Sequence, residues 1–337
     1  MAPEWEGRAI SEPATLVRVV RSGLEESVHV GHVAVCDPDG RVLAFAGDPE
    51  RPVFARSCMK PLQAAVSLSA MGSDAAELSD REVAVVCASH NGEEVHVATV
   101  LGILERAGLD PSALRNPPGW PLDPDAMGQA GSPRRELQNC SGKHAGMLLA
   151  TVRAGWDPAL YLEATEPLQQ RVLQAVLRGT GAPEVRVGVD GCGVPVHGMA
   201  LSRMATLFAR LADPDRWEAL GPSVRRATSS MLAEPYLVAG RNRTDTAVME
   251  VAPDVVVKSG AEALVCAAST TERIGVAVKV ADGGSRAAGP ALIHALARLG
   301  VLDDGQVERL RPHARPPVLG GGQPAGELLM AFDLSRH

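Results

Sequence analysis

The sequence predicts an α+β fold in which both chain ends contribute strands to one antiparallel sheet. Residues 15–46 alternate between apolar and polar side chains, and the segment DPDG at 37–40 interrupts them as a turn between two strands. At the other end, three glycines precede GELLMAFDL at 326–334, which predicts a further strand. Helical patterns concentrate between the two ends. We therefore expect a single unit, 1–337, with a helical region at roughly 90–235 inserted between N- and C-terminal sheet segments.

Hydrophobic periodicity defines the remaining elements. Apolar side chains recur at helical spacing in the stretches 59–71, 93–107, 159–178, 198–212, 215–233 and 288–300. Short apolar runs predict buried strands at 83–89, 185–191, 255–258, 264–269 and 274–280.

Composition and charge exclude several classes of partner. The 337-residue chain has a formal net charge of −7 and 3% aromatic residues, whereas nucleic-acid-binding surfaces are basic and often stack bases on aromatic rings. No run approaches the roughly 20 apolar residues that span a bilayer, and the N-terminal MAPEWEGRAI contains no signal-peptide pattern. The six cysteines are scattered, as expected of reduced thiols. We therefore expect a cytoplasmic protein that binds neither nucleic acid nor membrane.

A serine and a lysine stand three residues apart in RSCMKP at 56–61. Such side chains share a helix face, and the proline favours a helix that begins near Ser57, so Ser57 and Lys60 are expected to lie together. Penicillin-recognising enzymes combine this Ser-x-x-Lys spacing with a Lys-Ser/Thr-Gly triplet on a strand, which VKSG offers at Lys258. The alternatives are an N-capping serine beside a surface lysine, and a strand-end lysine followed by a turn.

A second serine follows the apolar run at 83–89, in the polar segment CASHNGEE. Ser89 could pass a proton between two lysines, while Asn91 and Gly92 offer amide groups and room near a substrate. A plain polar turn is one alternative. A Ser–His–Asp triad through His90 is another, although no Gly-x-Ser-x-Gly elbow accompanies it.

Two cysteines lie in separate glycine-containing segments, Cys140 in NCSGKHAG and Cys192 in VDGCGVP. They can bind a metal if the fold brings them together, but neither belongs to a Cys-x-x-Cys pair. Two small buried residues without a metal are the alternative. The Gly-Lys pair of the first segment lacks the remainder of a phosphate-binding loop, so that function is excluded.

With these segments, the chain resembles the rhizobial-type L-asparaginase family, also called asparaginase II or thermolabile asparaginase. The resemblance covers about residues 14–334. It rests on SCMKP at 57–61, CASHNGEE at 87–94, NCSGKHAGM at 139–147, VDGCGVP at 189–195, VAG at 238–240, VKSGAE at 257–262 and VKVADGGSRA at 278–287. It implies a fold like that of serine β-lactamases and glutaminases, a homodimer, and hydrolysis of L-asparagine to L-aspartate and ammonia.

The family's functional residues transfer to matching positions of this chain. The resemblance implies that the catalytic groups are two serine–lysine pairs, Ser57 with Lys60 and Ser89 with Lys258, although Lys279 competes for the second pair. It implies a zinc site formed by Cys140, Lys143 and Cys192. The expected substrate-binding residues are Arg56, Asn91, Gly92 and Asp190. The chain departs from the family at Gln138, where His is common, and in the DGGSRA stretch at 282–287.

Amide hydrolysis by such a site requires a lysine that can lose its proton. A free lysine titrates near ~10.4, and lowering the pKa of Lys60 to about 7 needs roughly 4.6 kcal/mol, which burial and a second cation can supply. Backbone amides at Ser57 and in the strand after Lys258 are candidates for holding the oxyanion. A glutaminase or penicillin-recognising serine hydrolase is the enzymatic alternative. A non-catalytic zinc-binding sensor is the alternative of another class.

Overall fold

The computed structural model of the chain describes residues 12–336. The N-terminal segment on which the expectation about a signal peptide rests lies outside the described residues. None of the helices within 12–336 has the length and apolar character needed to cross a membrane.

Strands lie at both ends of the chain, and helices fill most of its middle. The strands are β1 (Ala14–Arg21), β2 (Leu24–Cys36), β3 (Val42–Ala46), β4 (Pro52–Phe54), β5 (Arg186–Val189), β6 (Pro195–Ala200), β7 (Val255–Ser259), β8 (Leu264–Ser269), β9 (Ile274–Val280), β10 (Val318–Gly320), β11 (Gln323–Met330) and β12 (Ser335–Arg336). The α-helices are α1 (Lys60–Met71), α2 (Asp80–Val86), α3 (Glu94–Arg106), α4 (Pro124–Gln129), α5 (Ser141–Arg153), α6 (Pro167–Thr180), α7 (Leu201–Leu211), α8 (Gly221–Ala233), α9 (Pro235–Val238), α10 (Thr244–Val251), α11 (Ala288–Arg298), α12 (Asp304–Arg309) and α13 (Arg311–Ala314). Short 3-10 helices are Arg56–Met59, Gly72–Glu77, Pro111–Ala113, Pro158–Leu160, Pro214–Leu220 and Ser285–Ala287.

The two chain ends build one antiparallel sheet, as the sequence predicts. Its strand order is β10-β11-β1-β2-β9-β8-β7, and β3 pairs with both β2 and β12. Strand β1 lies between β2 and β11, with Val19 opposite Leu328. The predicted turn at 37–40 joins β2 to β3. These observations confirm the α+β class.

The helical region is wider than the expected 90–235. Helices begin at Lys60 and continue to Val251, and a small sheet with the order β4-β6-β5 lies among them. Helix α7 packs on β9 so closely that a Cβ on Gly275 would lie 1.9 Å from the carbonyl oxygen of Ala205. The helical region is thereby joined directly to the strands of the large sheet.

The predicted strand at 83–89 is wrong, because residues 83–86 belong to helix α2 and residues 87–89 follow it as a turn and loop. Ser79 accepts a hydrogen bond from the backbone N–H of Glu82, whose side chain accepts from the N–H of Ser79. This capping box starts a helix, and a short apolar run alone does not distinguish a helix from a strand. The run at 185–191 does contain β5, but this strand is not buried as expected, and Val189 is 81% exposed.

Candidate active site

The first site residues lie on the 3-10 helix Arg56–Met59, which leads directly into α1. Arg56 has a φ of 46°, a strained left-handed conformation for a residue with a side chain. The Cys58 thiol donates a hydrogen bond to the carbonyl of Lys258 at 3.1 Å and so ties this helix to β7. Ser57 follows the strained residue and is buried, with 9% of its surface exposed.

Two lysine amines contact one serine hydroxyl at the centre of the site. Lys60 Nζ and Lys258 Nζ each lie 2.9 Å from Ser89 Oγ. Both lysines are fully buried, which excludes the interpretation of Lys60 as a surface lysine. Lys60 Nζ also contacts the carbonyl oxygens of Ala88 at 2.6 Å and Asn139 at 3.3 Å. Hydrogen bonds thus connect Lys60, Ser89 and Lys258 in one buried network.

The competing lysine lies elsewhere. Lys279 Nζ donates to the carbonyls of Glu262 and Val280, both at 2.5 Å, beside the turn between β7 and β8. The partner that the structure places against Ser89 is therefore Lys258.

Ser57 and Lys60 do not share the direct contact that their spacing predicts. Within residues 12–336, the Ser57 hydroxyl has no hydrogen-bond partner, whereas the Lys60 amine contacts three oxygens on the Ser89 side of the site. A buried amine is costly unless its polar contacts are made, and these three oxygens supply them. Because catalytic hydrogen bonds often form only with the substrate in place, the role of Ser57 stays a prediction.

The backbone amides after Lys258 are not free to bind an oxyanion, which corrects the expectation. The N–H of Ser259 donates to Asp245 Oδ1 at 2.6 Å, and the N–H of Gly260 donates to the carbonyl of Leu264 at 2.7 Å. The N–H of Ser57 makes no such bond within the described chain, as expected in the first turn of a helix. The Ser57 amide therefore remains the candidate.

The geometry excludes a catalytic triad through His90. Its Nδ1 accepts from the N–H of Gly92 at 3.1 Å, so Nε2 carries the proton and donates to Ser141 Oγ at 2.9 Å. Burial lowers the pKa of His90 well below its ordinary value. With both nitrogens occupied and neither bonded to Ser89, His90 orders the loop and has no free nitrogen for proton transfer.

Asn91 and Gly92 shape this loop through contacts within the protein. The Asn91 amide donates to Glu93 Oε1 and to the carbonyl of Arg241, and its Oδ1 accepts from Arg243 Nη1 at 3.0 Å. Gly92 has a φ of 77°, and a Cβ there would lie 2.7 Å from the carbonyl oxygen of Leu137. Both residues have a structural reason to be present, and their predicted contact with substrate stays a prediction.

Arg56 and Asp190 form an ion pair at the edge of the site. Arg56 Nε donates to Asp190 Oδ1 at 2.7 Å. Within 12–336 the terminal nitrogens of Arg56 have no acceptor, so they are free to bind a carboxylate. The other carboxylate oxygen of Asp190 lies 3.9 Å from Cys192 Sγ, which places the ion pair beside the cysteines.

The three predicted metal ligands come together in the structure. Lys143 Nζ, on α5, donates to Cys192 Sγ at 3.1 Å, and both cysteines are buried. A hydrogen bond from Cys140, together with the Lys143 charge, lowers the pKa of Cys192 to about 5 against the effect of burial. The same hydrogen bond and burial raise the pKa of Cys140 to about 12.

After loss of their protons on metal binding, the Cys140 and Cys192 thiols and the Lys143 amine, with the nearby Asp190 carboxylate, are donors that suit zinc, so the residues present fit this ion. Among residues 12–336, no group of three or more His, Cys, Asp or Glu side chains is arranged to hold a metal ion. A metal at this position would therefore need the Lys143 amine.

Lys60 has the electrostatic environment of a base. The pKa of Lys60 is lowered to about 8, mainly by burial and in part by the neighbouring cations Lys143 and Lys258, against an opposing effect of Cys140. An amine with this pKa is partly neutral near pH 7 and can accept a proton.

Sequence reasoning missed Arg243 and Asp245, which lie at the start of α10. Arg243 Nη1 contacts the carbonyl oxygen of Ser89 at 3.3 Å, and Asp245 Oδ1 lies 3.7 Å from Lys258 Nζ. Both follow the VAG match at 238–240 by only a few residues, so extending that match would have included them.

A further sequence signal was the scarcity of lysine. The chain has 33 basic residues, and only four are lysines: Lys60, Lys143, Lys258 and Lys279. All the other basic residues among these 33 are arginines. Three of the four lysines, Lys60, Lys143 and Lys258, contact Ser89 or Cys192 at the site, and lysine, unlike arginine, can lose its proton in a protein.

Comparison with known families decides the relationship of the chain. The model of the L-asparaginase II family matches residues 17–330. The chain belongs to the L-asparaginase II family. The match includes every predicted catalytic and metal-binding position, and members of the L-asparaginase II family are hydrolases that act on amides.

Two further comparisons add little to this assignment. Curated proteins give no match. Among solved structures, a β-lactamase from Mycobacterium bovis is similar at 16% identity and a TM-score of 0.38, over 81% of this chain and 95% of that one.

Proposed function

We propose that this protein is an L-asparaginase that hydrolyses L-asparagine to L-aspartate and ammonia by acyl transfer to a serine. Membership of the L-asparaginase II family supports the amide substrate. The observation that carries the proposal is the pair of fully buried lysine amines, Lys60 and Lys258, on the Ser89 hydroxyl. Burying two amines is costly, and a non-catalytic zinc sensor would gain nothing from it.

The proposed chemistry assigns a step to each of these groups. Ser57 Oγ attacks the side-chain amide carbon of asparagine, and its proton passes to the neutral Lys60 amine, which turns from Ser89 to accept it. The N–H of Ser57, for which no acceptor is found within residues 12–336, would stabilise the oxyanion. When the C–N bond breaks, Lys258 supplies a proton to the departing ammonia through Ser89, and the proton that Lys60 took from Ser57 then moves through Ser89 to recharge Lys258. Water attacks the aspartyl ester and gives a proton to the neutral Lys60, which passes it to Ser57 Oγ as aspartate leaves.

One observation favours exchanging the roles of the two serines, with Ser89 as the nucleophile and Ser57 in the proton relay. Ser89 contacts both lysines, while the Ser57 hydroxyl is not bonded within 12–336. We retain Ser57 as the nucleophile because its hydroxyl is free and slightly exposed, whereas Ser89 Oγ is already engaged on two sides. Identifying the acylated serine distinguishes the two assignments.

We also propose that Cys140, Lys143 and Cys192 hold a zinc ion. A bound zinc would attract the charged end of the substrate. Arg56 and Asp190 lie beside this position and would bind the substrate's α-carboxylate and α-ammonium groups. The reacting amide is then directed towards Ser57, and its side-chain length becomes the basis of selection.

Asparagine should be preferred over glutamine. If both charged ends are fixed, one additional methylene displaces the amide carbon from the nucleophile. Discrimination of this kind is about 1–3 kcal/mol, or roughly 10- to 200-fold in kcat/KM.

The test is ammonia release from asparagine and from glutamine, with β-lactam hydrolysis measured in parallel and each assay repeated with a chelator. We expect asparagine turnover that exceeds glutamine turnover and no β-lactam hydrolysis. Equal efficiency on both amides would indicate a glutaminase, and β-lactam turnover would indicate a penicillin-recognising hydrolase. Zinc binding without turnover of any of these substrates would support the sensor.

Two properties of the whole protein complete the proposal. We propose a cytoplasmic location, supported by the six cysteines, all of which are free. The proposed homodimer rests on the family resemblance alone. Sedimentation at several concentrations tests it, and a constant monomer mass would contradict it.

A further inference from the structure

Two charged lysines could both donate to Ser89 Oγ, but within residues 12–336 the Ser89 hydroxyl proton would then have no acceptor. A serine hydroxyl donates one proton and accepts others, so Ser89 can donate to only one of two amines that lie 2.9 Å away. An ammonium group has three donors and no acceptor. The amine to which Ser89 donates must therefore be neutral. A fully hydrogen-bonded network of Lys60, Ser89 and Lys258 needs one charged and one neutral lysine.

The remaining contacts of Lys258 match a charged ammonium. Its Nζ faces three acceptors: Ser89 Oγ at 2.9 Å, the carbonyl of Ser259 at 2.7 Å and Asp245 Oδ1 at 3.7 Å. The first two contacts are hydrogen bonds and the third is an ion pair, and together they suit a charged amine. One of the acceptors is a carboxylate, which favours the charged form.

The contacts of Lys60 match a neutral amine. The carbonyls of Ala88 and Asn139, at 2.6 and 3.3 Å, can accept its two N–H groups. Its lone pair then accepts the Ser89 hydroxyl proton. In the part of the chain that the structure describes, no carboxylate forms an ion pair with Lys60, in contrast to Lys258.

We infer that Asp245 is a positioning residue that keeps Lys258 charged and thereby makes Lys60 the neutral amine of the pair. Asp245 is itself held in place, because its Oδ1 accepts from the N–H and the hydroxyl of Ser259 at 2.6 and 2.9 Å. It lies on α10 and is 1% exposed, so solvent does not screen its charge. The catalytic consequence rests on the proposed function, but the order of charges does not.

The surrounding charges are consistent with this order. Burial lowers the pKa of Lys258, and Asp245 is the largest opposing effect. The pKa of Asp245 is lowered despite burial, because Lys258 and Arg243 stabilise its charge. The other charged or titratable groups facing Lys258 are Lys60, His90, Arg243 and the thiols of Cys58, Cys87, Cys140 and Cys266.

Lysine NMR tests the inference without any substrate. Because the chain has only four lysines, ¹³C labelling at the ε-carbon gives four signals, which Lys60→Arg and Lys258→Arg assign. In the unsubstituted protein, the Lys60 signal should titrate at lower pH than the Lys258 signal. The reverse order would overturn the inference even if no Asp245 variant folds.

Asp245→Asn retains an oxygen that can accept from Ser259 but removes the charge. We expect the Lys258 midpoint to fall by about 1–3 pH units, the effect of one nearby opposite charge. In asparagine turnover, kcat should fall about 100-fold with KM little changed, since the loss is in proton transfer. The matched control is Asp213→Asn, because Asp213 is also buried but has Arg216 and Arg273 as its ion-pair partners. It should leave the Lys258 titration unchanged.

The two proposals fail in different measurements. A folded Asp245→Asn protein with an unchanged Lys258 midpoint would overturn the inference, whatever its activity. Absence of ammonia release from the unsubstituted protein, with Lys60 still titrating before Lys258, would overturn the asparaginase proposal and leave the role of Asp245 in place.

Discussion

At the residue scale, the proposed mechanism makes Ser57 and Lys60 parts of one unit. Ser57→Ala removes the nucleophile and Lys60→Ala removes its base, so each should lower kcat by at least about 10²–10⁴-fold. The double variant should be little worse than either single variant, because effects within one catalytic unit do not add. Steady-state ammonia assays measure this. Ser67→Ala is the control, since Ser67 is a buried serine on α1, the helix of Lys60, and within residues 12–336 its hydroxyl bonds only to the carbonyl of Gln63.

Mass spectrometry after rapid quench identifies the acylated serine. With a slow substrate or an aspartyl ester, the modified peptide should contain Ser57. A modified Ser89 with unmodified Ser57 would exchange the two roles. A full multiplicative loss of kcat in the Ser57→Ala, Lys60→Ala double variant would show that these two residues do not act as one unit.

The titration of Lys60 predicts how activity depends on pH. Burial lowers the pKa of Lys60 to about 8, and only its neutral form can accept the serine proton. Below that value the neutral fraction falls about tenfold for each pH unit, so kcat/KM should rise with pH and level off above about 8. A pH–rate profile between about 6 and 9 checks the direction. A rate that falls across this range while the protein stays folded would rule out Lys60 as the base.

At the element scale, the contact between α7 and β9 depends on Gly275. A Cβ there would lie 1.9 Å from the carbonyl oxygen of Ala205 and 2.4 Å from the nitrogen of Ala209, so Gly275→Ala must separate the two elements. We expect a loss of about 1–3 kcal/mol in the free energy of unfolding. Gly102→Ala on α3, where a Cβ meets nothing within 4 Å, should instead stabilise by about 0.5–1 kcal/mol. Urea unfolding compares them, and equal stability of the two variants would contradict this account.

The helices and strands also show which structural features a local sequence pattern can determine. Strands β7, β8 and β9 and helix α1 follow their predictions closely, because periodicity, a tight turn and Pro61 act over a few residues. The run 83–89 predicts a strand where α2 forms, because a sequence of seven apolar and small residues is compatible with either a helix or a strand. The capping box of Ser79 and Glu82 was the local signal that distinguishes them.

At the scale of the whole molecule, the site is only partly predictable, because its contacts join residues that are far apart in the sequence. Spacing predicted a direct Ser57–Lys60 contact, but Lys60 instead contacts Ser89. The Lys258–Asp245 pair joins a strand to a helix, and no short-range pattern specifies it. Motifs therefore identified most of the residues that the structure brings together, while their hydrogen-bond partners depend on tertiary packing.

The proposed zinc would connect distant parts of the chain, so it should affect the stability of the whole molecule. Cys140 precedes α5 and Cys192 lies between β5 and β6. We expect about one zinc per chain, lost in the Cys140→Ala, Cys192→Ala double variant and retained in Cys36→Ala, whose thiol lies on β2. Free zinc at about 100 times Kd would stabilise the folded state by roughly 2.7 kcal/mol, so a chelator should lower the Tm of the unsubstituted protein and not that of the double variant. Equal zinc content in both proteins, measured by elemental analysis, would place the metal elsewhere.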